Sequence, residues 1–431
     1  MGGRGILQGV LPFPHNGRGV GGESILLTLR GQRAFLTGIA LGWMLALASA
    51  QGWSLRVRGT ILEIFYGAGG STPQYGALHL DSSYFRMNYG PNSSWGTSVI
   101  LMPAFWSNGR YYQGAPVSWS HRIEGADLVL LLSGSIASLQ VNLQVRLLPP
   151  RPNELVAYVS ASVNGSVPID NRPGEAFKPV MLSSMHVSST LWDAQSAYAE
   201  CSSYAIPSSG WIVYPATSGR LFGLLGGTSA WKPNAPTIEV LLPQPLQITG
   251  WVTYSTNPND DNVGFWAASN QLMHSWSYTL RAAPDRTYRL SGYITLEQYR
   301  GNVIGQPITV ELRLPGSTTP LRTESVALQL NGYYTLYQVA PGTYDVAFQG
   351  AHWLRKVVRN VAVSGCLSGV NASLVNGDVD HDNRIDDADL LAVLFAFGQT
   401  GQNLPADLNG DGHVDDADLL IVLFNFGREG E

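Results

Sequence analysis

The sequence predicts a mainly β protein in three folded parts: a large N-terminal β-sandwich, a small β-sandwich spacer and a short α-helical module at the C-terminal end. Three observations carry this. The composition is 13% charged and 45% hydrophobic, with 48 Gly, 25 Pro, 12 Trp, 19 Tyr and 13 Phe, a turn-rich mixture unlike a coiled coil or a disordered chain. Apolar and polar residues alternate along long stretches, the period of a half-buried strand. Near the end, one acidic pattern occurs twice, 29 residues apart.

Charge divides the chain more sharply than it describes it. The whole carries −5, but 376–431 alone holds eleven Asp and two Glu against two Arg, a net of −11. Residues 51–375 carry 20 Lys plus Arg against 17 Asp plus Glu, a net of +3. No basic excess of the kind that marks nucleic-acid binding is present. The acidic tail is therefore set apart for different chemistry.

Residues 1–50 read as a secretory signal. Arg30 and Arg33 precede a mostly apolar run from Ala34 to Leu47, and Ala48-Ser49-Ala50 supplies small residues for cleavage before Gln51. The run is too short for a membrane span. The 29 residues before Arg30 exceed an ordinary n-region; an assigned start upstream of the real one would account for them, with initiation near Val20 giving an ordinary length. The mature chain is expected to be secreted or held at the cell surface, with no membrane span after cleavage. Cys201 and Cys366 are the only cysteines. Lying in different predicted domains, they read as two buried thiols, with a single bridge as the alternative.

The region 51–283 reads as the large sandwich. Leu139, Val141, Leu143, Val145 and Leu147 alternate with Gln140, Asn142, Gln144 and Arg146. Pro149-Pro150 and Arg151-Pro152 break the run, and Leu155 to Val163 resumes it, a hairpin with a Pro-rich turn. Trp266 to Ser275 is the one stretch with a trace of helical period. The region 284–375 reads as the small sandwich, with strand-like Tyr288 to Leu296 and Ile308 to Leu314, a turn at Asn331-Gly332, and further strands around Tyr333 to Leu336 and Thr343 to Val346. Its Gly332-Tyr333-Tyr334 and Pro341-Gly342-Thr343-Tyr344 pieces resemble the transthyretin-like or carboxypeptidase-regulatory-like β-sandwiches. That resemblance implies a scaffold.

The tail, 376–431, carries the sharpest pattern. Asp378, Asp380, Asp382, Asp386 and Asp389 recur as Asp407, Asn409, Asp411, Asp415 and Asp418. Each set places oxygen side chains at loop positions 1, 3, 5, 9 and 12, the spacing with which an EF-hand loop surrounds Ca²⁺. Position 7, Arg384 or His413, would give its backbone carbonyl, so its side chain is free to vary. Position 6 needs positive φ, which Gly412 meets and Asn383 tolerates. Ile385 and Val414 at position 8 can pack between the loops. Each loop leads into an apolar run, 389–398 or 418–427, that reads as a helix closed by Gly, with the position-12 Asp as the helix's first acidic residue.

This duplicated loop-helix resembles the type I dockerin module over Gly377 to Arg428. The resemblance implies two Ca²⁺ ions, ligand roles for the ten residues above, and docking onto a cohesin-like domain on a scaffold or cell surface. The sequence departs from the usual pattern at loop positions 10 and 11, which are Asp387-Ala388 and Asp416-Ala417, and in helices that are apolar where a basic pair is common. A calcium-stabilised terminal module with no cohesin partner stays open beside docking.

No catalytic constellation stands out. Glu63, Asp81, Glu124, Asp127, Glu154, Asp170, Glu175, Asp193, Glu200, Glu239, Asp260 and Asp261 are the carboxylates of the large domain, and a glycosidase would need two of them to converge. His79, His121, His186 and His274 have no metal-ligand spacing. The 257–262 segment, Asn-Pro-Asn-Asp-Asp-Asn, could hold a cation but reads as a turn. Aromatics beside polar loop residues make Trp106, Tyr111 and Tyr112 candidates for polysaccharide contact, against a plain reading as core aromatics. Together these features read as a secreted, modular, calcium-binding protein of extracellular polysaccharide binding or degradation. A structural surface or matrix protein and a glycoside hydrolase are the rivals.

Overall fold

A computed structural model of the chain describes residues 46–47, 52–67, 74–80, 84–88, 96–100, 104–113, 117–151, 153–168, 184–187, 194–205, 210–213, 217–226, 237–254, 262–267 and 274–431. Of the expected leader only Ala46–Leu47 falls among them, paired with Leu55 and Arg56. The rest of the leader and the 257–261 part of the possible cation turn lie outside the described residues.

The alternation in the sequence becomes a strand that is buried on one face. Leu139–Leu147 buries its five apolar residues and pairs antiparallel with Leu155–Asn164, Val145 opposite Val159. Ser275–Ala283 pairs with Leu155–Asn164 on one side and Thr237–Tyr254 on the other. Among the described residues the strands join in one 18-stranded hydrogen-bonded network over a core that includes Trp53, Leu62, Ile64, Leu143, Val145 and Leu280. Trp266, where helical period was expected, lies in the strand Asn262–Ala267, paired with Thr249. Sheet pairing overrides a weak helical pattern in a short apolar run.

Two further sheets follow. Tyr288–Leu296 pairs with Tyr333–Val339 and Ala372–Leu374, and Pro307–Arg313 pairs with Pro320–Ala327 and Gly342–Gln349. They share a second core with Leu290, Ile308, Tyr334, Phe348 and Trp353. The turn at Asn331-Gly332 forms with φ of 60° and 76°, which suits Asn and Gly.

The tail forms two helices, α1 (Asp387–Ala396) and α2 (Asp416–Asn425). Both begin two residues earlier than the sequence suggests. The reason is a capping box: Asp386 accepts from the Ala388 N–H and the Asp389 side chain accepts from the Asp386 N–H, repeated by Asp415 and Asp418. Asp387 and Asp416 are thus the first acidic residues of the helices, not Asp389 and Asp418. Gly398 and Gly427, at φ 83° and 81°, close them. A third core of Leu354, Ile385, Val393, Leu408, Val414, Ile421 and Val422 holds the two halves together.

Cys201 and Cys366 form a disulfide with Cα atoms 5.6 Å apart, correcting the expectation of two thiols. A separation of 165 residues says nothing about distance in a folded chain, so the assignment to different domains was no argument against the bridge. Among the described residues, no helix is long and apolar enough to cross a membrane.

Candidate metal centre

The two tail loops are tied to each other crosswise. In the first loop, Ile385 exchanges backbone hydrogen bonds with the end of α2, its N–H donating to Arg428 O at 2.9 Å and its carbonyl accepting from Gly427 N–H at 2.8 Å. In the second, Val414 does the same with Gln399 and Gly398 after α1. Each position-8 residue is fully buried in the shared core. Each loop is therefore braced by the helix that follows the other one.

Position 12 organises each loop from below. One Asp389 oxygen accepts from the Val379 N–H at 2.6 Å and the Asp380 N–H at 3.2 Å, while the other accepts from Asp386. Asp418 repeats this with Leu408, Asn409 and Asp415. Burial raises both carboxyl groups above the ordinary range even so. Positive φ occurs at Asn383 (70°) and Gly412 (90°), the two position-6 residues. Arg384 and His413 are exposed, consistent with positions whose carbonyls alone are wanted.

In the first loop, oxygens of Asp378, Asp380 and Asp382 all lie within 4.8 Å of one another. Asp378 is fully buried, and neither of its carboxylate oxygens has a partner at full hydrogen-bond geometry, the Asn383 N–H being the backbone donor that acts on it. Burial, then the neighbouring Asp389 charge, pushes its carboxyl up to about 6. A buried unpaired carboxylate is costly unless a cation or proton compensates it. Asp380 and Asp382 are exposed and so add charge at the open side of the loop. This donor set is all oxygen, the chemistry of Ca²⁺ and not of softer metals, and the residues present fit such an ion.

The second loop is differently arranged. Asp407 accepts from the N–H groups of Gly410, Asp411 and Gly412 at 2.8 to 3.1 Å. Asn409 donates to Asp411 at 2.9 Å, and that bond holds the Asp411 carboxyl below the usual range. Gly410 stands where the first copy has His381. The Tyr299 ring explains it, since a Cβ on Gly410 would lie 2.4 Å from the ring.

The small β unit reaches this loop directly, which sequence reasoning missed. Arg300 and Gly301 N–H groups donate to Asn409 O at 2.7 and 3.2 Å. Asn376 is fully buried; its amide donates to Leu408 O at 2.7 Å and its Oδ1 lies 2.7 Å from His352 Nδ1. Asn425 donates to Asn376 O and to the Gln298 side chain. A signal existed for Asn425: it replaces Ala396 of the first copy, a polar residue breaking an apolar repeat. The first loop is held in a similar way, with Asn383 accepting on Oδ1 from Arg355 N–H and on its carbonyl from Gly430 N–H.

The other candidates are dispersed. Trp106 and Tyr111 are backbone register partners in the hairpin of Ala104–Ser107 and Arg110–Gln113; their side chains lie outside the described ones. Tyr112 is half-buried against the large core. Glu239 is fully buried and accepts from Tyr198, Thr287 and Arg281, and Arg281 also donates to Glu154 at 2.5 Å. Glu63 pairs with Arg56 and Asp127 with Arg146; Glu124 pairs with both Arg122 and Arg146. Glu200 accepts from the N–H groups of Arg220 and Leu221. Asp81, Asp170, Glu175, Asp193, Asp260 and Asp261 lie outside the described residues. His274 Nδ1 meets Val163 O at 3.1 Å, and His121 sits beside Trp119; the side chains of His79 and His186 are not among those described. A groove of about 400 Å³ crosses the large sheet, lined by Gln144, Arg146, Tyr158, Ser160, Arg220 and Thr279 among others, with no carboxylate among the described residues that line it.

No protein-family model matches the chain, and no curated protein does. Among solved structures, a type II cohesin-X-dockerin complex from Acetivibrio cellulolyticus is similar at 26% identity, covering 33% of this chain and 97% of that one, with a TM-score of 0.28. A galactose mutarotase related enzyme from Lactobacillus acidophilus is similar at 7% identity over 56% of this chain and 97% of that one, TM-score 0.27. A polysaccharide lyase is similar at 11% identity over 83% of this chain and 50% of that one, TM-score 0.19. All three TM-scores are low, and none of these likenesses adds to the chemistry of the site.

Proposed function

We propose that the C-terminal module, 376–431, folds around two calcium ions and docks a secreted or surface-held protein of extracellular polysaccharide binding or degradation onto a partner. The ligands are Asp378, Asp380, Asp382, Asp386, Asp389 and the Arg384 carbonyl in the first loop, and Asp407, Asn409, Asp411, Asp415, Asp418 and the His413 carbonyl in the second. The observation that carries this is Asp378, whose two buried oxygens have no partner at full hydrogen-bond geometry and lie beside the oxygens of Asp380 and Asp382. Calcium would supply the compensating charge, so its binding energy is also folding energy.

Docking is supported by what the helices leave uncovered. Phe395 is 85% exposed and Phe424 73%, with Leu391, Leu394 and Phe397 repeated by Leu420, Leu423 and Phe426. An exposed apolar face of this kind marks an interaction surface, and a cohesin-like domain or surface scaffold is the partner it suits. The same face would serve calcium-dependent assembly of a matrix protein.

The test is thermal unfolding of the full chain with calcium and with EDTA. Removal of the ion should lower the melting temperature of the helical signal and restoration should recover it. Identical melts in both conditions would refute the calcium role.

A further inference from the structure

The outer face of the small β unit carries a row of tyrosines at its junction with the large sheet. In the antiparallel pair of Tyr288–Leu296 and Tyr333–Val339, Tyr293 stands opposite Tyr333. Leu290, Ile294, Tyr334 and Leu336 face the core, so Arg289 and Tyr293 fall on the opposite face with Tyr333 and Tyr337. Tyr293 is 51% exposed, with its ring centroid 5.3 Å from that of Tyr333. Arg220, from the large sheet, lies over the Tyr337 ring at 4.6 Å and also lines the groove that holds Tyr158. Arg220 is thereby shared by the groove and the tyrosine row.

The charges at this face are unequal. Arg220, Arg289 and Glu200 are the ionic groups acting on Tyr337, and one Glu200 oxygen is already taken up by the N–H groups of Arg220 and Leu221. Arg289 Nε is buried without a hydrogen-bond partner, as are Gln338 Nε2 on the same strand as Tyr337 and the other Glu200 oxygen. In a chain of net charge −5, Arg220 and Arg289 against the single Glu200 leave this aromatic face with one net positive charge. The disulfide fixes it: Cys201 follows Glu200, and Leu367, next to Cys366, donates to Arg289 O. A pre-set face loses less entropy on binding.

We propose that this face, Tyr293, Tyr333 and Tyr337 with Arg220 and Arg289, binds an acidic polysaccharide. The apolar faces of the sugar rings lie on the tyrosines and the uronate carboxylates meet the guanidinium groups. The proposal rests on the polysaccharide part of the function given above and is independent of calcium. It assigns a ligand to the unit otherwise read as a spacer.

The test is affinity electrophoresis and calorimetry of the full chain, with its disulfide intact, against polygalacturonate, hyaluronate and glucuronoxylan, with dextran and xyloglucan as neutral counterparts. At least one acidic polymer should bind, more weakly as salt rises. Tyr293→Ala should weaken binding about tenfold, the order of one lost aromatic contact, with the melting temperature unchanged. Tyr293→Trp should retain binding, and Arg220→Gln should weaken acidic polymers. Binding of neutral polymers only would overturn this site while leaving the polysaccharide function standing. Binding of none would overturn both, and acidic binding indifferent to Tyr293→Ala would overturn the site.

Discussion

Asp389 holds the loop that Asp378 opens: its carboxylate gathers the Val379, Asp380 and Asp386 N–H groups, leaving Asp378 buried beside it with neither oxygen in a full hydrogen bond. Asp389 thus orders the loop backbone, while Asp378 carries the buried charge that no full hydrogen bond offsets; in the proposed site both are ligands.

Asp378→Asn separates these roles. Removing a buried unpaired charge should leave the metal-free protein as stable or more so, while abolishing one calcium site. Calorimetric stoichiometry should fall by one ion with the second site intact. Loss of both sites would mean that the loops do not bind independently.

His352 gives a pH dependence with a defined sign. Burial lowers its pKa to about 4 from 6.5, and its ring stacks on Trp353 with centroids 3.7 Å apart. The folded state therefore excludes a proton that the unfolded chain takes up. Its contribution is full above about 6.5 and is lost as pH falls toward 4. Thermal melts across this window should slope less in His352→Gln than in the parent; equal slopes would contradict the assignment.

Asn425→Ala restores the residue of the first repeat and deletes the bonds to Asn376 O and Gln298. Because Asn376 and its neighbours are buried, the expected cost is about 1–3 kcal/mol. Denaturant unfolding of the calcium-loaded chain measures it. A neutral outcome would show that the contact between module and β unit does not support stability.

Phe395→Ser with Phe424→Ser should leave the melting temperature close to that of the parent, since both rings face solvent. Solubility should rise, and calcium-dependent capture of a cohesin-like partner or of a second copy should be lost. A large fall in stability would instead give these rings a structural role.

Local features were legible in the sequence. The 139–147 alternation, the Asn331-Gly332 turn and both loops form as their residue types require. What stayed hidden depends on long-range meeting of segments. The Cys201–Cys366 bridge, the crosswise bracing of Ile385 and Val414, and the Tyr293–Tyr333 face each join residues whose separation along the chain carries no spatial information. The helix starts were displaced for a local reason, because Asp386 and Asp415 act as caps as well as candidate ligands. Glu154 and Glu239 were possible catalytic carboxylates by type, but Arg281 between them makes a structural ion cluster that only the fold assembles.

Calorimetric titration of calcium into the metal-free full chain counts the ions that the two loops hold. Two ions should bind per chain, one lost in Asp378→Asn and the other in Asp407→Ala. No binding at millimolar calcium would contradict the proposed calcium role.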